Sequence, residues 1–150
     1  MKLIPISNSL EENSSFLEAQ DCPPIIDAMM DYYQKIGYNF PWVGYFAVDE
    51  NKNPVGTGGF KGVPNNGKIE IAYHTFGMHE GKGIGTAICN ELVSIAQNSD
   101  PSVLITARTL PVESSSCSIL RKNGFTNLGV VIDPEDGEVF EWVIEKPIQP

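Results

Sequence analysis

The chemistry-bearing residues of this chain concentrate where an alternating apolar run gives way to glycines, within Ile69–Gln97, IEIAYHTFGMHEGKGIGTAICNELVSIAQ. Beyond Gly81, Gly83 and Gly85, apolar residues recur at Ala87, Ile88, Leu92, Ile95 and Ala96. The hydrophobic period changes from two to about 3.6, which predicts a strand feeding a helix through a backbone-exposing turn. The first amides of a helix lack intrahelical acceptors, and the helix dipole favours negative charge beside them. Glycines let a diphosphate approach those amides, so Gly81-Lys82-Gly83-Ile84-Gly85-Thr86 is a candidate phosphate cradle. The alternative is a tight strand-to-helix connection without a ligand. A Walker loop would need glycine at position 76, where Phe76 stands, and Ser or Thr at 83, where Gly83 stands. The dinucleotide pattern G-x-G-x-x-G fails in both frames, with Thr86 or Ile88 at its last position.

Other reactive side chains are less well placed by spacing. His74 shares a strand face with Glu70, but four residues of strand separate them by roughly 13 Å, too far for a direct dyad. Cys117 sits beside a serine cluster with no base indicated nearby, which argues against a covalent acyl-enzyme. Cys22, Cys89 and Cys117 form no C-x-x-C pair and have no histidine at metal-ligand spacing, so no metal is expected and a reduced, cytoplasmic setting is. The net charge of −9 and pI near 4.6 argue against nucleic acid as a main partner. They are compatible with a cationic substrate, although a solvated acidic surface is the commoner cause. No apolar run approaches the roughly 20 residues of a membrane span, so no membrane association is expected.

The elements that must position these residues follow from the rest of the chain. Lys2–Ile6 reads as a short strand, at an edge because of Pro5. Ser9 and Glu12 have capping-box spacing and predict a short helix to about Ala19. Pro23 and Pro24 open a second helix, in which Ile25, Ile26, Met29, Met30, Tyr33 and Ile36 recur at helical spacing up to Gly37. That stripe is core, unless one edge of it lines a pocket. Pro41–Asp49 and Val55–Val63 predict an antiparallel hairpin, with Gly58 and Gly59 marking a bulge or a close approach. Strands are further expected at Lys68–Phe76, Ser102–Ala107, Thr126–Asp133 and Glu138–Lys146, with a short helix before Gly124. Asp136-Gly137 suits a tight hairpin between the last two strands. Without repeats or linkers, residues 1–150 read as one α/β (α+β) domain with a mixed, mostly antiparallel sheet of about seven strands and about four helices.

Two runs carry a resemblance to a known family. EIAYHTFGMHEGKGIGTAICNEL resembles the acetyl-CoA-binding segment of the GNAT superfamily of N-acetyltransferases, whose motif reads Arg or Gln, two residues, Gly, one residue, Gly or Ala. TLPVESSSCSILRKNGF resembles that superfamily's next segment, in the form of the branch related to ribosomal-protein N-terminal acetyltransferases. Pro111, Ser116, Ile119, Leu120, Asn123, Gly124 and Phe125 match it. The order of elements is also that fold's order over nearly the whole chain. Three positions depart from the pattern: Glu80 replaces Arg or Gln, Glu113 replaces an Asn, and Leu120 stands where many members carry a tyrosine general acid.

The resemblance implies an acetyl-CoA-dependent N-acetyltransferase acting on a primary amine, of a small molecule or a peptide, by direct attack in a ternary complex. Amides from Gly81 to Thr86 (Gly81, Lys82, Gly83, Ile84, Gly85, Thr86) would hold the pyrophosphate. Tyr73, His74 and Thr75 would pair with the pantetheine arm and polarise the acetyl carbonyl through a main-chain N–H. Glu70 would be the general base, and Ser116 a proton donor or thiol contact. Glu113 reads as a helix-dipole partner. A CoA-binding protein of the same fold without transfer activity is the alternative, and either a monomer or a homodimer is compatible with the sequence.

Overall fold

The computed structural model describes residues 1–144. Its seven strands are β1 (Lys2–Pro5), β2 (Gly44–Val48), β3 (Pro54–Phe60), β4 (Lys68–Thr75), β5 (Leu104–Thr109), β6 (Thr126–Asp133) and β7 (Gly137–Ile144). They form one sheet in the order β1-β2-β3-β4-β5-β7-β6. Only β4 and β5 run parallel. The expected continuation of the last strand to Lys146 lies outside the described residues.

Three α-helices pack on the sheet: α1 (Cys22–Ile36), α2 (Ile84–Ser99) and α3 (Ser115–Lys122). The fourth expected helix, from Ser9 to Ala19, is a correction. That segment holds only a 3-10 turn at Ser14–Phe16. Ser9 Oγ accepts from the Glu12 N–H at 3.4 Å, but the Glu12 carboxylate takes the Ser7 hydroxyl at 2.6 Å instead of reaching back to Ser9. Asn13 binds both the N–H and the carbonyl of Ser7, each at 2.8 Å. These side-chain bonds satisfy the backbone locally and compete with helix.

The glycines of β3 are set by close approach. A Cβ on Gly58 would lie 2.6 Å from Ile88 Cγ2 and 3.0 Å from Leu92 Cδ1. The helix α2 therefore rests directly on the backbone of β3, and the only register shift near this hairpin falls at Ala47/Val48 rather than at the glycines. On the opposite face, a Cβ on Gly44 would lie 2.8 Å from Met29 Cε, which seats α1 there. Tyr33 is buried, donating to the Ile6 carbonyl at 2.8 Å and accepting from the Gly44 N–H at 3.0 Å. Trp142 is fully buried and donates to Thr109 Oγ1 at 3.0 Å, whereas Phe40 is exposed.

Gly58→Val places branched carbon where Ile88 and Leu92 already sit. We expect a loss of about 1–3 kcal/mol of stability from overpacking, read as a lower urea midpoint with an unchanged slope.

Candidate active site

The parallel pairing of β4 with β5 runs from Lys68↔Leu104 to Ile71↔Ala107 and stops. Beyond it, Ala72–Thr75 pair with Gly56–Gly59 of β3, while Arg108 and Thr109 pair with Glu141 and Phe140 of β7. The sheet therefore opens between its two central strands. A small cavity of about 90 Å³ occupies the opening, lined by Ala72, Tyr73, Arg108, Thr109, Ser116 and Leu120 among others. The Tyr73 hydroxyl spans it, donating to the Ser116 carbonyl at 3.4 Å. Burial raises the pKa of that hydroxyl, and the neighbouring thiols of Cys89 and Cys117 add to the effect.

On the face carrying α2 and α3 lies a cleft of about 550 Å³. It brings together Tyr73, His74, Thr75, Gly81, Gly83, Ile84, Gly85 and Thr86 of the expected cofactor-binding set, with Ser116. Lys82 is exposed and does not line it. The glycines divide the work. Gly81 and Gly83 adopt φ of +77° and +79°, and a Cβ on either would meet nothing within 4 Å, so the turn is left-handed and open. Gly85 is needed for packing instead: a Cβ there would lie 2.7 Å from Ile119 Cδ1. Gly83 is the N-cap of α2 and makes no side-chain cap bond; the first helical bond is Ala87 N–H to the Gly83 carbonyl at 3.1 Å. The amides just ahead of Ala87 thus face the cleft without helical acceptors. Sequence reasoning missed His79, Ser115, Ser118, Ile119 and Lys122, which also line it. The available signal was the helical phase of α3, which puts Ser115, Ser118, Ile119 and Lys122 on one face, while His79 enters through the 3-10 turn Gly77–His79.

On the opposite face lies a chamber of about 450 Å³ between α1, β3, β4 and the β6–β7 turn. Ile25, Met29 and Tyr32 line it, so one edge of the α1 stripe does face a pocket. Glu70 is here, apart from Ser116, with its carboxylate 2.9 Å from the Lys61 ammonium. Burial lowers the Lys61 pKa, but the hydrogen bond and charge of Glu70 outweigh it and the net direction is upward. Asp133 and Glu135 form the rim. Asp133 accepts the Glu135 and Asp136 amides at 2.8 and 3.1 Å and the Arg108 guanidinium at 2.9 Å. The Glu135 amide first, then Arg108 and the Asp136 amide, hold its pKa down at about 2.

His74 is exposed, its ring edge-on to Phe76, and it makes no pair with Glu70. Glu113, just ahead of α3, is a surface partner of Arg121, at 2.9 and 2.6 Å. Cys117 is buried among Thr109, Ser114 and the Val112 carbonyl, none of which is a base. No group of residues arranged to hold a metal ion occurs among the described residues, and none of their helices is long and apolar enough to cross a membrane.

The gap at the parted strands shares Ala72 with the chamber on one face and Tyr73 and Ser116 with the cleft on the other. A site of this form serves transfer between two bound substrates. The chain belongs to the GNAT acetyltransferase family, whose domain model matches residues 1–126, and it is an acetyl-CoA-dependent N-acetyltransferase. A spermidine N-acetyltransferase variant from Vibrio cholerae shares the fold at 14% identity and a TM-score of 0.70, over 97% of this chain and 95% of its own. The ribosomal-protein-S5-alanine acetyltransferase from Vibrio fischeri does so at 15% identity and 0.65, over 97% and 91%. An aminoglycoside acetyltransferase in complex with coenzyme A is 25% identical, with a TM-score of 0.59 over 68% of this chain and 65% of its own. No curated protein sequence matches the chain.

The depressed Asp133 carboxyl stabilises the rim while it is ionised. That contribution is present above its ordinary pKa of 3.8 and is lost as the pH falls through about 2. Wild type and Asp133→Asn should therefore converge in melting temperature as the pH is lowered from 5 to 2; a constant difference would refute the assignment.

Proposed function

We propose that the chain, read as one domain over residues 1–150, moves an acetyl group from acetyl-CoA to a primary amine with both substrates bound at once. The observation that carries this reading is the gap between β4 and β5, with cavities of different chemistry at its two sides. The cleft side offers amides, hydroxyls and Lys122 to an anionic donor, with one carboxylate, Glu80, also on its lining. The chamber side offers Glu70, Asp133 and Glu135 against one lysine, Lys61, around an apolar floor of Ile25, Met29 and Phe60, which suits an ammonium on an apolar body.

The residues present fit a CoA thioester. Open, left-handed Gly81 and Gly83 leave room at the unpaired amides for a pyrophosphate. Lys122 puts a cation on the cleft lining, whereas Lys82, within the turn, is exposed and does not line it. The edge of β4 from Ala72 to Thr75 has no strand partner on the β5 side and accepts an extended amide chain there. A main-chain N–H at that edge, from Tyr73 to Thr75, polarises the acetyl carbonyl. Glu70 takes the proton of the amine, and Ser116, which like Tyr73 lines both cleft and gap, offers a hydroxyl to the leaving sulfur. With an excess of nine negative charges on the chain, the acceptor is sought among amines rather than nucleic acids.

Thiol release from acetyl-CoA against a panel of amines and amino-terminal peptides tests the reading; tight CoA binding with no turnover across the panel would sink it. Glu70→Gln should lower kcat by about 10²–10⁴-fold and leave the Kd for acetyl-CoA unchanged. Gly83→Asp puts a side chain and a negative charge into the cradle. A folded variant should bind CoA at least about tenfold more weakly by calorimetry, about 1.4 kcal/mol, and an unchanged Kd would move the site elsewhere.

A further inference from the structure

The gap between β4 and β5 is closed at one end. Ile71↔Ala107 is the last pair that joins the two strands, and both residues are buried, at 2% exposure each. Leu120 of α3 is fully buried and lines the same gap. At the other end Tyr73 and Ser116 belong also to the cleft, and Ala72 alone is shared with the chamber. The gap is thus a short recess off the cleft, with an inner wall of Ile71, Ala107 and Leu120. The backbones of Ile71 and Ala107 are fixed by strand pairing, whereas Leu120 enters from a helix. Its side chain is the part of the wall that sets the depth.

Three of the polar side chains on this recess are already committed. The Tyr73 hydroxyl donates to the Ser116 carbonyl at 3.4 Å. Thr109 Oγ1 accepts the Trp142 indole N–H at 3.0 Å and donates to the Leu110 carbonyl at 3.2 Å. The Arg108 guanidinium lies 2.9 Å from Asp133 and 3.5 Å from Glu141, so the one cation on the lining is held by two carboxylates. The fourth, Ser116, stands at the cleft end. A group that enters meets apolar carbon at the inner wall and no unpaired charge.

The recess measures about 90 Å³. At about 30 Å³ for each water-sized group, it admits about three heavy atoms. An acetyl group has that size: a methyl carbon, a carbonyl carbon and an oxygen. Propionyl and butyryl groups exceed it by one and two methylenes.

We propose that this recess selects the acyl group of the donor and that Leu120 is the residue that limits its length. The inference rests on reading the cleft as the donor site with the thioester at the β4 edge. The acyl carbonyl then lies at the edge amides, and the alkyl end points inward against Leu120. Longer chains are stopped there, and carboxylated ones, such as succinyl, find Arg108 already paired. One methylene too many or too few in an apolar pocket changes discrimination by about 10–200-fold.

The experiment measures, by calorimetry on the purified full chain, the Kd values of CoA, acetyl-CoA, propionyl-CoA, butyryl-CoA and succinyl-CoA; no acceptor is needed. Acetyl-CoA should bind at least about tenfold more tightly than butyryl-CoA or succinyl-CoA. In Leu120→Ala, butyryl-CoA should gain at least about tenfold and draw level with acetyl-CoA, while CoA itself, which carries no acyl group, keeps its Kd. Leu120→Val leaves a smaller cavity in the core and should shift the preference the same way by less; circular dichroism of both variants checks the fold. Equal affinity of the wild type for acetyl-CoA and butyryl-CoA, or for acetyl-CoA and succinyl-CoA, overturns the proposal. An unchanged chain-length preference in a folded Leu120 variant also overturns it. In each of these cases CoA binding leaves the donor site standing, whereas no binding of any of the five overturns both.

Discussion

The structure depends on one interruption: four residue pairs hold β4 to β5, and the fifth is missing. Parallel pairing is the weaker kind per residue, and here it is the only parallel contact in an otherwise antiparallel sheet. Each strand has a stronger neighbour on its other side. β3 carries β4 on to Thr75, and β7 carries β5 on to Thr109, so the two central strands follow different partners and diverge. Backbone groups along the inner edge of Ala72–Thr75 are left without a strand partner in the middle of a sheet. An edge of this kind calls for an occupant, and an extended ligand satisfies it as a strand would.

What surrounds the gap keeps it from closing. The buried Leu120 lines one side of it, and Trp142, bonded to Thr109, holds β5 to β7. Arg108 is tied to Asp133 and lies 3.5 Å from Glu141, which couples the end of β5 to the turn at the chamber rim. On the other face, Gly58 and Gly85 let α2 sit tightly on β3 and against Ile119 of α3. The glycine turn and the chamber are thus fixed to the same two strands from opposite sides, with the thickness of one sheet between them.

Elements with strong periodicity or punctuation were legible from sequence. The switch of period across Gly81–Gly85 located α2, the Asp136-Gly137 pair located the last hairpin, and Pro23-Pro24 located α1. The Ser9 segment was not, because a capping-box spacing does not reveal that Ser7 and Asn13 compete for the same groups. The cleft was largely readable because backbone amides at a glycine turn are a local property. The chamber was not, because it is assembled from α1, β3, β4 and the Asp133–Glu135 turn, which only tertiary packing brings together. Lys61 shows the difference well: nothing near it in sequence marks it, yet the strand register sets it against Glu70.

Leu120 stands where the resemblance would put a tyrosine in many members and is fully buried, so α3 supplies no proton donor from that side chain. The two proton transfers of the reaction differ in difficulty, however. A thiol with an ordinary pKa of about 8.5 leaves as thiolate at pH 7 at a cost of about 2 kcal/mol. Deprotonating an alkyl ammonium of pKa about 10.4 at the same pH costs about 4.6 kcal/mol. Catalysis therefore suffers less from a missing acid than from a missing base, and a serine hydroxyl or water suffices for the sulfur. A chain with Leu120 at that position and a carboxylate, Glu70, in the chamber fits an active transferase better than a fold reduced to binding CoA.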